Sequence, residues 1–144
     1  MSQNTRLAPD FNELIFDVAN GVSISEGDCV AVNSGGYAEP GAESARLVTG
    51  VGDALVAAPN GSGIDGALQV KVGTNRPILF DVSGSVTNAD IGKMMVLTSD
   101  ATKLSVSGAV AGNLNIPAGG RLVQMDPLGT GKAMVLFNPE QDDS

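Results

Sequence analysis

The sequence contains few residues of the types that carry out chemistry. It has no histidine, which removes Ser–His and Cys–His catalysis and imidazole ligation of metals. Its single cysteine, Cys29, permits no disulfide within the chain and lies in the alternating stretch Gly27–Val32. A reactive thiol needs a cationic or imidazole neighbour that lowers its pKa, and none is visible. We therefore interpret Cys29 as a small buried apolar residue of a strand.

Two short motifs imitate functional sites. Leu128–Ala133 is similar to part of a phosphate-binding loop, but Asp126 stands where that motif needs its first glycine, and Ala133 stands where it needs Ser or Thr. A hairpin turn accounts better for these glycines. Asn60–Ser62 matches a glycosylation sequon, which we interpret as part of a glycine-rich turn.

The acidic residues in the middle of the chain are scattered singly. No window approaches a calcium-binding loop, and we predict that most of these residues are solvated residues of turns. The residues concerned are Asp53, Asp65, Asp81, Asp90, Asp100 and Asp126. The sequence thus predicts no catalytic residue, no metal and no cofactor, and we expect a protein that is not an enzyme.

Charge and composition argue against several classes of partner. The 144 residues include 16 acidic and 8 basic ones, which gives a formal net charge of −8, and only 3% are aromatic. Nucleic acids and anionic membranes attract basic surfaces, and single strands also need stacking aromatics. No apolar run of about 18 residues is present, and no apolar segment follows the polar N-terminus as in a secretory signal. We expect neither nucleic acid nor membrane as a partner.

The apolar runs are short, rich in valine and bounded by Gly, Asn, Asp or Pro, which is typical of strands. The only helical candidates are Gly41–Arg46 and Thr87–Ile91, the second of which opens with a sequence like a capping box. We predict an all-β fold, a small single-domain β-barrel or β-sandwich with short helical turns and extended termini. The predicted strands are Glu13–Ala19, Asp28–Asn33, Ala45–Ala57, Ala67–Val72, Ile78–Val82, Met94–Thr98, Lys103–Val106, Arg121–Met125 and Lys132–Phe137.

Glycine and proline mark the predicted connections. Turns are expected at Asn33–Gly36, Pro59–Gly63, Pro117–Gly120 and Asp126–Gly131. The predicted strand 45–57 contains Gly50 and Gly52, which indicate a bulge or a barrel corner, or a close approach to another backbone.

The two ends of the chain differ from its middle. We predict a flexible N-terminal arm over residues 1–10, a β domain over 11–138 and an acidic C-terminal tail over 139–144. The arm carries Arg6, Leu7 and Pro9 and is followed by Phe11. An apolar residue beside a cation is unnecessary in a purely solubilising tail, so we hypothesise that this segment orders on a partner.

Five segments in order along the chain resemble the capsid cement, or head-decoration, proteins of tailed bacteriophages. They cover about residues 21–138 and consist of glycine positions and strand patterns rather than a catalytic signature. The segments are Ile24–Val30, Thr49–Gly52, Thr87–Lys93, Gly120–Gln124 and Lys132–Phe137.

The resemblance implies a structural virion protein, made in the host cytoplasm, that binds the outer surface of an assembled capsid as a homotrimer and stabilises the shell. Its partner would be the major capsid protein, and Arg6, Leu7, Pro9 and Phe11 are the candidate capsid contacts. One alternative is another virion or surface β module, such as a tail or spike component that binds a glycan. A second is a small β-barrel enzyme similar to the trimeric nucleotide hydrolases, whose Gly-Arg-Ser-type motif this sequence lacks.

Overall fold

The regular structure divides into two sets of strands that follow each other along the chain. The computed structural model describes residues 13–42, 47–74 and 77–137. The first set is β1 (Glu13–Asp17), β2 (Val22–Ile24), β3 (Cys29–Asn33), β4 (Ala38–Pro40), β5 (Leu47–Ala54), β6 (Ala58–Asn60) and β7 (Gln69–Gly73). The second set is β8 (Pro77–Val82), β9 (Met94–Leu97), β10 (Lys103–Val106), β11 (Pro117–Met125) and β12 (Ala133–Phe137). One 3-10 turn, Asn88–Asp90, precedes β9, and the all-β prediction is confirmed.

The first set forms an antiparallel five-stranded sheet in the order β1-β7-β5-β3-β4, which we call the first sheet. Strands β2 and β6 pair separately beside it. A parallel bridge between Val18 and Ala38 ties the residue after β1 to the opposite edge strand, β4. The first sheet is therefore curled, with its two edges meeting at one point.

The second set closes into a barrel in the order β10-β8-β12-β11-β9. Only β8 and β10 pair in parallel, and β12 lies between β8 and β11. Alternation along β12 points Val135 and Phe137 inward, where the ring of Phe137 meets that of Phe80 edge-on at 5.7 Å. Closure satisfies the backbone groups that an open sheet would leave at its edges.

The first sheet and the barrel share part of their apolar core through β3. Cys29 and Ala31 pack with the barrel residues, whereas Val30 on the opposite face packs with Val70 and Val72. Because β3 is covered on both faces, its sequence is apolar without interruption from Cys29 to Val32. This explains why the segment gives a strong strand signal.

Strands β5 and β11 cross at glycines that have no room for a side chain. A Cβ on Gly50 would collide with the backbone of Ala118, and a Cβ on Gly119, whose φ is +83°, would collide with the carbonyl of Gly50. The hydroxyl of Thr49 donates to the carbonyl of Pro117 at 3.3 Å beside this crossing. Both interpretations of the glycines in β5 are confirmed, because the register with β3 shifts between Gly52 and Gly50, and Gly50 closely approaches another backbone. The turn predicted at Pro117–Gly120 is wrong, because these residues begin β11.

Other local predictions have mixed outcomes. The capping box at Thr87 is confirmed, since the Thr87 hydroxyl accepts from the amide of Ala89 and the Asp90 carboxylate accepts from the amide of Thr87. The three-residue strands β2, β4 and β6 were not predicted. Residues 43–46 of the other helical candidate lie outside the described residues, and Gly41 and Ala42 are not helical.

Asn60 ends β6 and opens the predicted turn, because the amide of Gly63 donates to the carbonyl of Asn60 at 3.0 Å. Its side chain is 2% exposed, and its amide donates to the carbonyls of Ala19 at 2.9 Å and Ile64 at 3.0 Å. The side chain of Asn60 thus joins two loops inside the fold and is withdrawn from solvent, whereas Gly61 and Ser62 of the same sequon are exposed.

Candidate interaction surface

The predicted capsid-contact residues Arg6, Leu7, Pro9 and Phe11 lie outside the described residues, as do the predicted arm and acidic tail. The structure does describe the place where the chain enters the fold. Glu13 pairs with Gly73, and the hydroxyl of Thr74 donates to the carbonyl of Phe137 at 3.3 Å. The chain therefore enters β1 beside the end of β12, at the joint between the first sheet and the barrel.

Cys29 lies in the shared core, as the sequence predicted. Its side chain is fully buried, and its amide donates to the carbonyl of Ala101 in a barrel loop at 2.8 Å. Burial, followed by the nearby carboxylates of Asp53 and Asp28, raises the pKa of the thiol well above its ordinary value. A thiol held in its protonated form is a poor nucleophile, so the geometry favours a packing role.

Three carboxylates are held ionised by hydrogen bonds within their own turns. The pKa of Asp90 is lowered by the Lys93 ammonium and then by the Thr87 amide. The pKa values of Asp100 and Asp126 are lowered by amides and hydroxyls two to four positions away, chiefly those of Thr102 and Thr130. These contacts close turns and do not converge on a common site.

The prediction that the acidic residues are solvated turn residues is wrong for two of them. Asp53 lies inside β5 with 4% of its surface exposed, and Asp90 is buried in the cap before β9. Asp65 and Asp100 are exposed outside the strands, as expected, whereas Asp81 is exposed but lies in β8. Within residues 13–42, 47–74 and 77–137, no group of three or more Cys, Asp or Glu side chains is placed to hold a metal ion.

The segment that is similar to a phosphate-binding loop is the turn of the β11–β12 hairpin. Gly129 and Gly131 both have positive φ, and the Asp126 carboxylate accepts from the amide of Leu128 at 3.0 Å. Lys132 lies 3.8 Å from Asp81 on β8. The hairpin interpretation is confirmed, and no helix follows the turn. Along the described part of the chain, no helix is long and apolar enough to cross a membrane.

The outer surface of the barrel is unusually apolar. The register places two rows of outward-facing residues side by side across the strands, and neighbours in such rows have Cβ atoms about 4.5–5.5 Å apart. One row is Pro77, Leu136, Arg121 and Met94, and the next is Leu79, Met134 and Gln124. Leu79 is 44% exposed and Met94 is 43% exposed. We call the five apolar members, Pro77, Leu79, Met94, Met134 and Leu136, the barrel face.

A groove of about 400 Å³ continues the barrel face beyond Met94. Its lining combines apolar side chains with one ammonium, one hydroxyl and one amide, from Lys93, Met94, Val96, Ser107, Asn115 and Pro117. The Lys93 ammonium binds Asp90 at 2.8 Å, and the Arg121 guanidinium donates to the carbonyl of Gly92 at 2.8 Å. Cations held at fixed positions around an apolar groove suit contact with a protein side chain better than a reaction.

Charge is distributed unevenly between the two halves. Residues 13–76 contain eight acidic and three basic residues, whereas residues 77–137 contain four of each. The half that forms the first sheet therefore carries a net charge of −5, and the half that forms the barrel is neutral. The barrel face therefore belongs to the neutral half, whereas the exposed apolar side chains of the acidic half are those of Ile15, Val48, Val56, Ile64 and Leu68.

Comparison with known proteins adds no relative. No model of a known protein family matches the chain, and no curated protein shows significant similarity to it.

Proposed function

We propose that this protein is a structural component of a phage virion, which binds the outer surface of an assembled capsid and stabilises it. The observation that carries the proposal is the one-sided character of the molecule. A protein that covers a shell needs one side for protein contacts and another side that faces solvent. The neutral half that forms the barrel suits the first role, and the acidic half that forms the first sheet suits the second.

The proposed action is mechanical. A protein that binds assembled capsid subunits and not free ones stabilises the assembled state by mass action, by an amount that grows with concentration over the dissociation constant. The ordered segments that resemble cement proteins support this role. They occupy the crossing at Gly50, the cap at Thr87 and the central barrel strands β11 and β12.

The N-terminal arm is the segment that we propose binds the shell. In this hypothesis Leu7 and Phe11 fill shallow apolar pockets of a capsid subunit, and Arg6 pairs with a carboxylate. Ordering the arm costs about 1–2 kcal/mol of backbone entropy per residue, so its contacts must be extensive. Support comes from the entry point at Glu13, which lies at the joint and leaves the barrel face uncovered by β1.

The test is co-sedimentation with shells assembled from the major capsid protein of the same phage. We expect saturable binding to assembled shells, no binding to unassembled subunits, and decorated shells that withstand higher temperature. Absence of binding to assembled shells would refute the proposal.

A variant that starts at Asp10 tests the arm. We expect it to melt near the temperature of the full chain, because the arm is predicted to lie outside the β domain, and to bind shells at least tenfold more weakly, which corresponds to about 1.4 kcal/mol. A variant that lacks residues 139–144 is the matched control and should bind normally. If the shortened N-terminus leaves the affinity for shells unchanged, the arm does not bind the shell.

A further inference from the structure

We infer that the barrel face is the surface through which two copies of this chain associate. Outward residues of an antiparallel sheet that faces water are ordinarily polar. Here two neighbouring rows hold five apolar side chains, and their register makes them contiguous. Pro77, Leu79 and Met94 are exposed, and Met134 and Leu136 between them are half-buried. A contiguous outward-facing apolar surface of this kind marks a site of contact with another macromolecule.

The chemistry of the surface fits contact between side chains. The barrel is closed, so its strands offer no free edge for pairing with an added strand. Methionine and arginine are enriched at protein interfaces, and the surface contains Met94, Met134 and Arg121. The groove beside Met94 gives a projecting side chain of the other molecule a place to enter.

Charge identifies the other molecule as a second copy. Each chain carries a net charge of −8, so copies repel at long range. An approach through two first sheets would bring two net charges of −5 within a Debye length of about 8 Å at physiological salt. An approach through two barrels brings neutral halves together and keeps the acidic halves apart. A strongly charged foreign partner finds no matching net charge here.

The charged residues at the border of the barrel face also favour a second copy as the partner. Asp81 and Lys132 form an ion pair at its end, 3.8 Å apart and about half exposed. A surface with both members of an ion pair offers an identical surface both an anion and a cation. Contact between identical copies requires such self-complementarity, because every copy presents the same surface to its neighbours.

The test is sedimentation velocity and light scattering of the full chain over a wide range of concentration. We expect the unaltered protein to be an oligomer, and Leu79→Lys and Met94→Lys each to weaken association at least tenfold. Ile15→Lys is the matched control, because Ile15 is 57% exposed but lies on β1 of the first sheet, and it should associate normally. Circular dichroism of each variant establishes that it is folded.

Salt provides a second measurement that needs no variant. Added salt screens the repulsion between two chains of charge −8, so association through an apolar face should strengthen as salt rises. A monomer at every concentration would overturn the inference, and so would association that weakens with salt or that fails in Ile15→Lys but survives in Leu79→Lys. Shell binding is measured separately, so a monomer that decorates shells would refute this inference and leave the proposed function standing.

Discussion

The outer faces of the first sheet and of the barrel show opposite chemistry on similar strands. On β1 and β7 the outward residues are Glu13, Asp17, Gln69 and Lys71, with Ile15 as the one apolar member. On the barrel, five of the seven residues in the two outward rows are apolar. Since β1 and β7 pair with a mostly polar outer face, pairing of strands does not require the apolar face of the barrel. That face is better explained by association than by stability.

The first sheet and the barrel are held together at the crossing of β5 and β11, and Gly119→Ala should disrupt this crossing. The new Cβ would meet the carbonyl of Gly50, and the residue would also be held at a φ of +83°. Overpacking costs about 1–3 kcal/mol, and left-handed backbone adds about 1–2 kcal/mol. We expect a loss of about 3 kcal/mol or more in the free energy of unfolding, measured by urea denaturation.

Gly129→Ala is the matched control for Gly119→Ala. Gly129 has a φ of +79°, but a Cβ there would meet open space. Its substitution should cost only the backbone strain, so the difference between the two variants measures the collision at the crossing. Equal losses in the two variants would mean that the close approach of β5 and β11 contributes nothing.

Cys29→Ser tests the shared core of the two halves, because Cys29 lies where the first sheet packs against the barrel. The serine hydroxyl would enter an apolar site, and burial of a hydroxyl costs about 1–3 kcal/mol in proteins. We expect a lower midpoint of urea unfolding with shell binding unchanged in the folded protein. A folded Cys29→Ser protein that no longer binds shells would contradict a packing role for this residue.

Asp90→Asn gives the smallest expected effect and acts only on the barrel half. The folded state lowers the pKa of Asp90, so its carboxylate contributes stability above the unfolded value of 3.8, and that contribution is lost as the pH falls through the lower folded pKa. We expect the variant to melt slightly below the unaltered protein at neutral pH and to show less of the loss of melting temperature below pH 3.8. Glu26→Gln, at an exposed position outside the caps, should retain the full loss. If Asp90→Asn retains it as well, the cap is not an acid-sensitive element.

Much of the fold follows from local sequence. The Val-rich run in β3 and the turn chemistry of Asp126–Gly131 indicate the correct elements, because both signals lie within a few neighbouring residues. The cap at Thr87 is predictable for the same reason. Strands β4 and β6 each consist of three residues with a proline, and they exist only through pairing with distant strands. No local pattern announces such pairing.

The outward-facing residues of the candidate surface cannot be predicted from local sequence. Ala133–Phe137 is apolar at every position, so its alternation cannot tell which residues point outward. The register with β8 and β11 supplies that information and places Met134 and Leu136 in the outward-facing rows. Pro117–Gly120 has the local sequence of a turn. Its Gly119 instead allows the close approach of Gly50, a residue far away in the sequence.

The position of β12 between β8 and β11 has a consequence for the order of folding. Its partner β8 is separated from it by β9, β10 and β11, so closure must join segments far apart in the chain, with a substantial loss of loop entropy. During synthesis, β8 and β11 emerge first, and neither has a complete set of neighbours until β12 is made. The barrel therefore closes late, and non-local pairing of this kind sets folding times of milliseconds to seconds rather than microseconds. Until then the nascent chain exposes strand edges that the finished barrel does not have.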